Sequence, residues 1–171
     1  VASDYQKIEQ VYRSRGVQVD YCPLSKDGIL SEALRNTSAS VLHITPFRSF
    51  PSGVTASVSK RREYLRWVTS ADRFLVEDDY ESEFSLLRKP EDTLFAMAKG
   101  RNVIYLNTFS RTVSPSLRVG YMVLPRSLLP VFELRLGFYS CTVPAFEQYV
   151  LAELLNSGDF ERHINRIRRL D

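Results

Sequence analysis

Six residues in two short stretches have the types and spacing to hold a charged ligand. Asp78 and Tyr80 stand two apart in EDDYESEF, where a strand-like run from Phe74 to Asp78 ends. On an extended backbone, residues two apart point to one side. A carboxylate beside a phenol there could hold a protonated ring nitrogen and a ring hydroxyl. The same residues support two other readings. Five of the seven residues from Glu77 to Glu83 are acidic, so the stretch also reads as a solvated acidic loop, the reading that spacing alone favours. A hard cation such as magnesium is a further candidate, because it prefers oxygen ligands.

The other four are Thr108, Ser110, Arg111 and Arg118, in VIYLNTFSRTVSPSLRVGYMVLP from Val103 to Pro125. The stretch reads as a buried strand (Val103 to Leu106), a hydroxyl-rich turn, two arginines and a second apolar strand. Two hydroxyls and two forked guanidinium donors at a sheet's carboxyl edge could cradle a phosphate. The plainer alternative is a loop whose hydroxyls bond local backbone while its arginines face water. With no glycine-rich run, it is not a P-loop.

Other chemistry-bearing residues read as structural. Lys60-Arg61-Arg62 and the Arg162, Arg166, Arg168, Arg169 cluster interleave with apolar residues at helical spacing, which marks the wet faces of amphipathic helices rather than a nucleic-acid surface. His43 lies in an apolar strand and reads as a core histidine, His163 as a surface one, and Trp67 as packing. Cys22 and Cys141 are far apart and form no CxxC pattern, and two histidines leave little for a metal site. A reducing, cytoplasmic setting is the default.

The elements that must position these residues alternate. Ser3 with Gln6 suggests a capping box, followed by a helical face of Ile8, Val11 and Tyr12 and a stop at Gly16. Val17 to Cys22 reads as a short strand, closed by Pro23 and a Lys26-Asp27-Gly28 turn. A short helix spans Ser31 to Arg35, and a buried strand Val41 to Thr45. Ser57 to Thr69 is helical, with Val58, Leu65 and Val68 inward and Lys60, Arg61 and Arg62 outward. A short helix covers Leu94–Lys99, another runs from about Ser127 to Tyr139, a third from Pro144 to Gly158, and a basic helix starts at Phe160. Strand–helix alternation predicts an α/β domain with a mostly parallel sheet and helices on both faces.

The 171 residues suffice for one domain, with 44% apolar and 25% charged residues and a net charge of +3. That charge is too mild to argue for nucleic acid by itself. Apolar runs are of strand length, so no membrane span is expected. Helical pattern runs to both ends of the chain, so it reads as an excerpt of a longer protein, occupied from 1 to 171 by a single domain.

Taken together, TPFRSFPSG (Thr45–Gly53), FLVEDDYESEF (Phe74–Phe84) and the segment from Tyr105 to Pro125 resemble the aminotransferase-like domain of MocR/GabR-type bacterial regulators of the GntR superfamily. The basic tail from Phe160 to Asp171 fits that family's long helix. The resemblance implies the central part of the large domain of a fold-type-I pyridoxal-phosphate (PLP) protein. It implies that Asp78 pairs with the pyridinium nitrogen, that Tyr80 bonds the ring's phenolic oxygen, and that Thr108, Ser110 and Arg118 hold the phosphate. It also implies a homodimer that answers a small, amino-acid-like effector and meets DNA only through a winged-helix module outside this chain.

One departure bears on chemistry. The family's Schiff-base lysine falls immediately after TFS, and here that residue is Arg111. A lysine amine can lose its proton and attack an aldehyde, whereas a guanidinium stays protonated and is a poor nucleophile. Arg111 can still pair with a phosphate or a carboxylate. The expectation is PLP held non-covalently at most, with no internal aldimine and no catalytic residue; the alternative is an aminotransferase for amino acids that uses another lysine, Lys89 or Lys99 being nearest. Arg48-Ser49 in place of His-Gln and Ser116 in place of glycine are further departures.

Overall fold

A computed structural model describes residues 6–80 and 92–169. Helix α1 (Gln6–Ser14) ends at Gly16, whose φ of 72° suits the stop. The predicted capping residue Ser3 lies outside the described residues. Val11 points outward, unlike the expected apolar face, while Ile8 and Tyr12 are partly covered. Val17 to Cys22 is not a strand: the segment carries no ladder bonds, and within it only Cys22 is buried. The strands form just beyond it, as a ribbon of β1 (Leu24–Ser25) and β2 (Gly28–Ile29) around the Lys26-Asp27 turn. Gly28 is required there. Its φ is 134°, and an added Cβ would strike the Tyr64 hydroxyl, which accepts the Ile29 N–H at 2.7 Å.

After α2 (Ser31–Asn36) comes the main sheet, β3 (Val41–Ile44), β4 (Phe74–Asp78), β5 (Val103–Thr108) and β6 (Gly120–Val123), paired in that order. The first two pairings are parallel and the third antiparallel. Parallel pairs need a crossover, and α3 (Val58–Thr69) and α4 (Leu94–Met97) lie in the two crossovers. The β5–β6 link needs none, and one turn of helix, α5 (Phe109–Thr112), suffices.

Period-2 alternation places Leu42, Ile44, Leu75 and Val103 on one face, packed with Tyr64, Trp67 and Val68 of α3 and Leu94 of α4. On the opposite face Tyr12 of α1 meets His43 edge-on. The sheet is thus mixed but mostly parallel, with helices on both faces.

Arg61 corrects an expectation. It is buried at 2% exposure, one turn before Tyr64 on the inner face of α3, whereas Val58 is 44% exposed. One guanidinium nitrogen donates to the Asp92 carbonyl at 3.0 Å, and the group lies over the Phe47 ring at 5.1 Å.

The predicted helix from Ser127 to Tyr139 is a 3₁₀ turn (Arg126–Leu128) followed by α6 (Leu129–Leu136). Pro130 has no N–H, so it belongs in the first turn of α6 and marks the restart. Helices α7 (Ala145–Asn156) and α8 (Asp159–Ile167) follow, joined through Gly158 in the left-handed region. In and around α6 and α7, Leu134, Phe138, Phe146 and Tyr149 are each more than three-quarters exposed. Among the described residues, no helix is long and apolar enough to cross a membrane.

Candidate functional site

The parallel register sets Ile44 beside Glu77 and Asp78 beside Leu106, so β3, β4 and β5 finish at one level. The segments that follow them, Thr45 to Gly53, Asp78 to Tyr80 and Thr108 to Arg111, therefore stand side by side. Thr108 pairs with Gly120, which brings Arg118 to the same edge. The Tyr80 hydroxyl donates to the Arg48 carbonyl at 3.1 Å and ties the first two segments together. All six predicted residues thus share the carboxyl edge of one sheet, where open α/β folds place ligands.

The acidic run is not a solvated loop over its described part. Glu77 and Asp79 are fully buried on the α3–α4 face, while Asp78 and Tyr80 are partly exposed and belong to the opposite face. Residues 81–83 of that run lie outside the described residues. The Glu77 carboxylate accepts the backbone N–H groups of Leu94 and Phe95, each at 2.8 Å, so it caps α4. Burial pushes its carboxyl up to about 7, Asp79 adds to the rise, and the two N–H donors and Arg61 oppose it.

A carboxyl raised on folding stabilises the fold below its unfolded value near 4.5, and that contribution is lost as pH rises through 7. Its full size is about 3 kcal/mol. Glu77→Gln is therefore expected to flatten the pH dependence of the melting temperature between pH 5 and 8, measured beside the parent protein. An unchanged slope would contradict this.

Asp79 begins a second buried network. The Tyr105 hydroxyl donates to Asp79 Oδ2 at 2.8 Å, and Asn107 Nδ2 donates to that hydroxyl at 2.8 Å. Asn107 Oδ1 then accepts the Thr108 N–H. Burial, and then the charge of Asp79, drives the Tyr105 phenol strongly upward, so it stays a donor. Sequence reading missed this chain of contacts. Its available signal was parity: Glu77, Asp79, Tyr105 and Asn107 fall on one face once the strands are registered.

Asp78 has a different environment. Its Oδ2 lies 3.7 Å from Nε2 of buried His43, whose Nδ1 is 2.7 Å from the Tyr12 hydroxyl. A phenol donating to Nδ1 leaves the ring proton on Nε2, facing Asp78. Burial, reinforced by Asp78, pushes the Tyr12 phenol up and keeps it protonated. His43 is thus a core histidine, as its surroundings in the sequence suggest, and it also backs the site carboxylate.

The phosphate-like end is tightly wired. Thr108 Oγ1 accepts the Ser110 N–H and donates to the Val119 carbonyl, both at 3.1 Å. Ser110 Oγ donates to the Leu117 carbonyl at 2.6 Å. The two hydroxyls hold the turn closed, as the plainer reading expects, and Arg111 and Arg118 are exposed beside them. The donor set suits a flat, anionic heteroaromatic ligand: a carboxylate backed by histidine for a ring N–H, and two guanidiniums for a dianion. Lys99 follows α4 and precedes β5, at the opposite end of the sheet; Lys89 lies outside the described residues. Among the described residues no cluster of three metal-binding side chains occurs.

This is the fold of the large, cofactor-binding domain of fold-type-I PLP-dependent aminotransferases. The crystal structure of Pyrococcus horikoshii kynurenine aminotransferase, in complex with PMP, superposes with a TM-score of 0.85 at 28% identity, over 96% of this chain and 43% of that one. Similar curated proteins include transcription regulators of the helix-turn-helix type and the 2-aminoadipate transaminase of Thermus thermophilus, to which the chain is 29% identical over 177 residues, covering 99% of this chain and 44% of that protein. The chain is 30% identical over 166 residues to the uncharacterized regulator YdeL of Bacillus subtilis, covering 97% of this chain and 36% of that protein. It is 31% identical over 157 residues to the probable rhizopine catabolism regulatory protein MocR of Rhizobium meliloti, covering 92% of this chain and 32% of that protein. The chain spans about a third of the length of these two regulators. No family model matches it.

Proposed function

We propose that this chain is the central part of the effector-sensing and dimerising domain of a MocR-type, GntR-family transcription regulator. In this reading its pocket takes PLP, or a close analogue, without a covalent bond. The observation that carries it is Arg111, the residue after TFS, at a sheet edge that otherwise keeps Asp78, Tyr80, Thr108, Ser110 and Arg118. DNA is contacted through a separate module, and the whole protein works in the cytoplasm as a homodimer. The exposed apolar side chains in and around α6 and α7 support such an assembly, because large unpaired apolar patches favour association.

The chain's own residues divide the work. Asp78 accepts the ring N–H, with His43 and Tyr12 fixing it from behind. Tyr80 would bond the ring's phenolic oxygen by exchanging its donation to the Arg48 carbonyl. Arg111 and Arg118 neutralise the phosphate while Thr108 and Ser110 keep the turn closed. When bound, PLP supplies an electron-withdrawing ring and an aldehyde, and Arg111 offers that aldehyde no free amine.

The test is PLP titration of the full-length protein, followed by borohydride treatment and denaturation. Saturable binding and a raised melting temperature are expected, with no pyridoxyl group retained. Asp78→Asn is expected to weaken binding about ten- to a hundredfold, the worth of a charge-assisted bond. A retained adduct would overturn the non-covalent reading. Failure of PLP to stabilise the protein would leave the fold as an assembly scaffold.

The likeness to kynurenine aminotransferase favours one alternative, a PLP-dependent aminotransferase acting on amino acids. It requires an amine from elsewhere, since Lys99 is at the wrong end of the sheet. Turnover of an amino donor by the full-length protein would establish it.

A further inference from the structure

Helix α8 reaches the site turn at both of its ends. His163 Nε2 lies 2.9 Å from the Thr112 carbonyl. A carbonyl only accepts, so Nε2 carries the proton. His163 Nδ1 lies 3.3 Å from Arg166 Nη2, a donor, so Nδ1 is the acceptor. The two neighbours together select one neutral tautomer. Three residues before His163, Phe160 meets Phe109 edge-on, with ring centroids 6.1 Å apart and planes at 83°. Thr112 is 2% exposed beneath this contact. Phe109 and Thr112 are the first and last residues of α5, and Ser110 and Arg111 are the two between them.

We propose that His163 is a positioning residue: through Thr112 it clamps the turn that presents Ser110 and Arg111, and so couples α8 to the anion-binding end of the site. The proposal rests on the PLP-binding reading for its ligand, although the clamp is visible without one. Coupling of this kind is reciprocal. A ligand that tightens the turn stabilises α8 against it, and a displacement of α8 loosens the ligand's grip. Gly158, in the left-handed region, separates α7 from α8, so the two are distinct helices rather than one continuous rod.

The test uses the full-length protein with His163→Ala, His163→Gln and His163→Glu. Glutamine keeps an N–H donor at similar reach; glutamate has similar shape and no donor. Amide exchange over residues 109–113, measured without ligand, is expected to quicken about tenfold in the alanine and glutamate variants and to stay within about twofold of the parent in glutamine, the range of one hydrogen bond. PLP affinity is expected to fall in the same order. Unchanged exchange in H163A, or a glutamine variant as loose as the glutamate one, would overturn the clamp. Should H163A fail to fold, the glutamine–glutamate comparison still decides. Absence of PLP binding by the parent protein would sink the proposed function, while the exchange measurement would still judge His163.

Discussion

Replacing Arg111 with lysine is expected to produce a borohydride-fixed pyridoxyl group at position 111, on the order of one per chain, where the parent protein yields none. The variant changes one property of the site. A lysine amine titrates, and a second cation at the same sheet edge, Arg118, favours the neutral amine by disfavouring a further charge. A guanidinium keeps its proton in either setting. The α5 turn needs no rebuilding, because its closure comes from Thr108 and Ser110 and from the carbonyls of Leu117 and Val119. The readout is peptide mapping after reduction, with an imine absorption band as companion. Should R111K bind PLP yet stay unmodified, the shape of the pocket, rather than the missing amine, would be the reason the parent does no covalent chemistry.

Arg61→Ala is expected to destabilise the full-length protein by about 3 kcal/mol, read by denaturant unfolding beside the parent. The guanidinium is buried, bonded to the Asp92 carbonyl and stacked over Phe47, and its charge opposes the desolvation of Glu77. Removing it leaves a buried acid near another buried acid, Asp79. A loss no larger than about 0.5 kcal/mol, typical of a surface substitution, would show that the burial carries no electrostatic weight.

Arg61 also shows what the sequence conceals. In Lys60-Arg61-Arg62 three basic residues look alike, and the default for such a run is water. Only the phase of α3, fixed by Tyr64 and Val68, selects the middle one for the core. The strands β3, β4 and β5 were legible because each is a short apolar run bounded by a turn. Val17 to Cys22 alternates apolar and polar residues, as a half-buried strand does, and forms no ladder, since pairing requires a neighbour at the right distance, which local pattern does not encode.

The site was legible as residue types rather than as contacts. The motifs containing Asp78, Tyr80, Thr108, Ser110, Arg111 and Arg118 identify one sheet edge. That His43 backs Asp78, and that Tyr105 and Asn107 link Asp79 to Thr108, follows from cross-strand register. Register joins residues some thirty positions apart, beyond the reach of any local window.

The run Glu77-Asp78-Asp79 behaves like a text with a reading frame. Three similar letters stand in a row, and the pleat assigns the outer two to the interior and the middle one to the ligand edge. A single residue inserted upstream in β4 would move Val76 into the place of Glu77 and exchange the jobs of the acids that follow. The helix cap would be handed to the edge and the edge acid to the core. The residue count of β4 therefore matters to the site as much as the acids themselves.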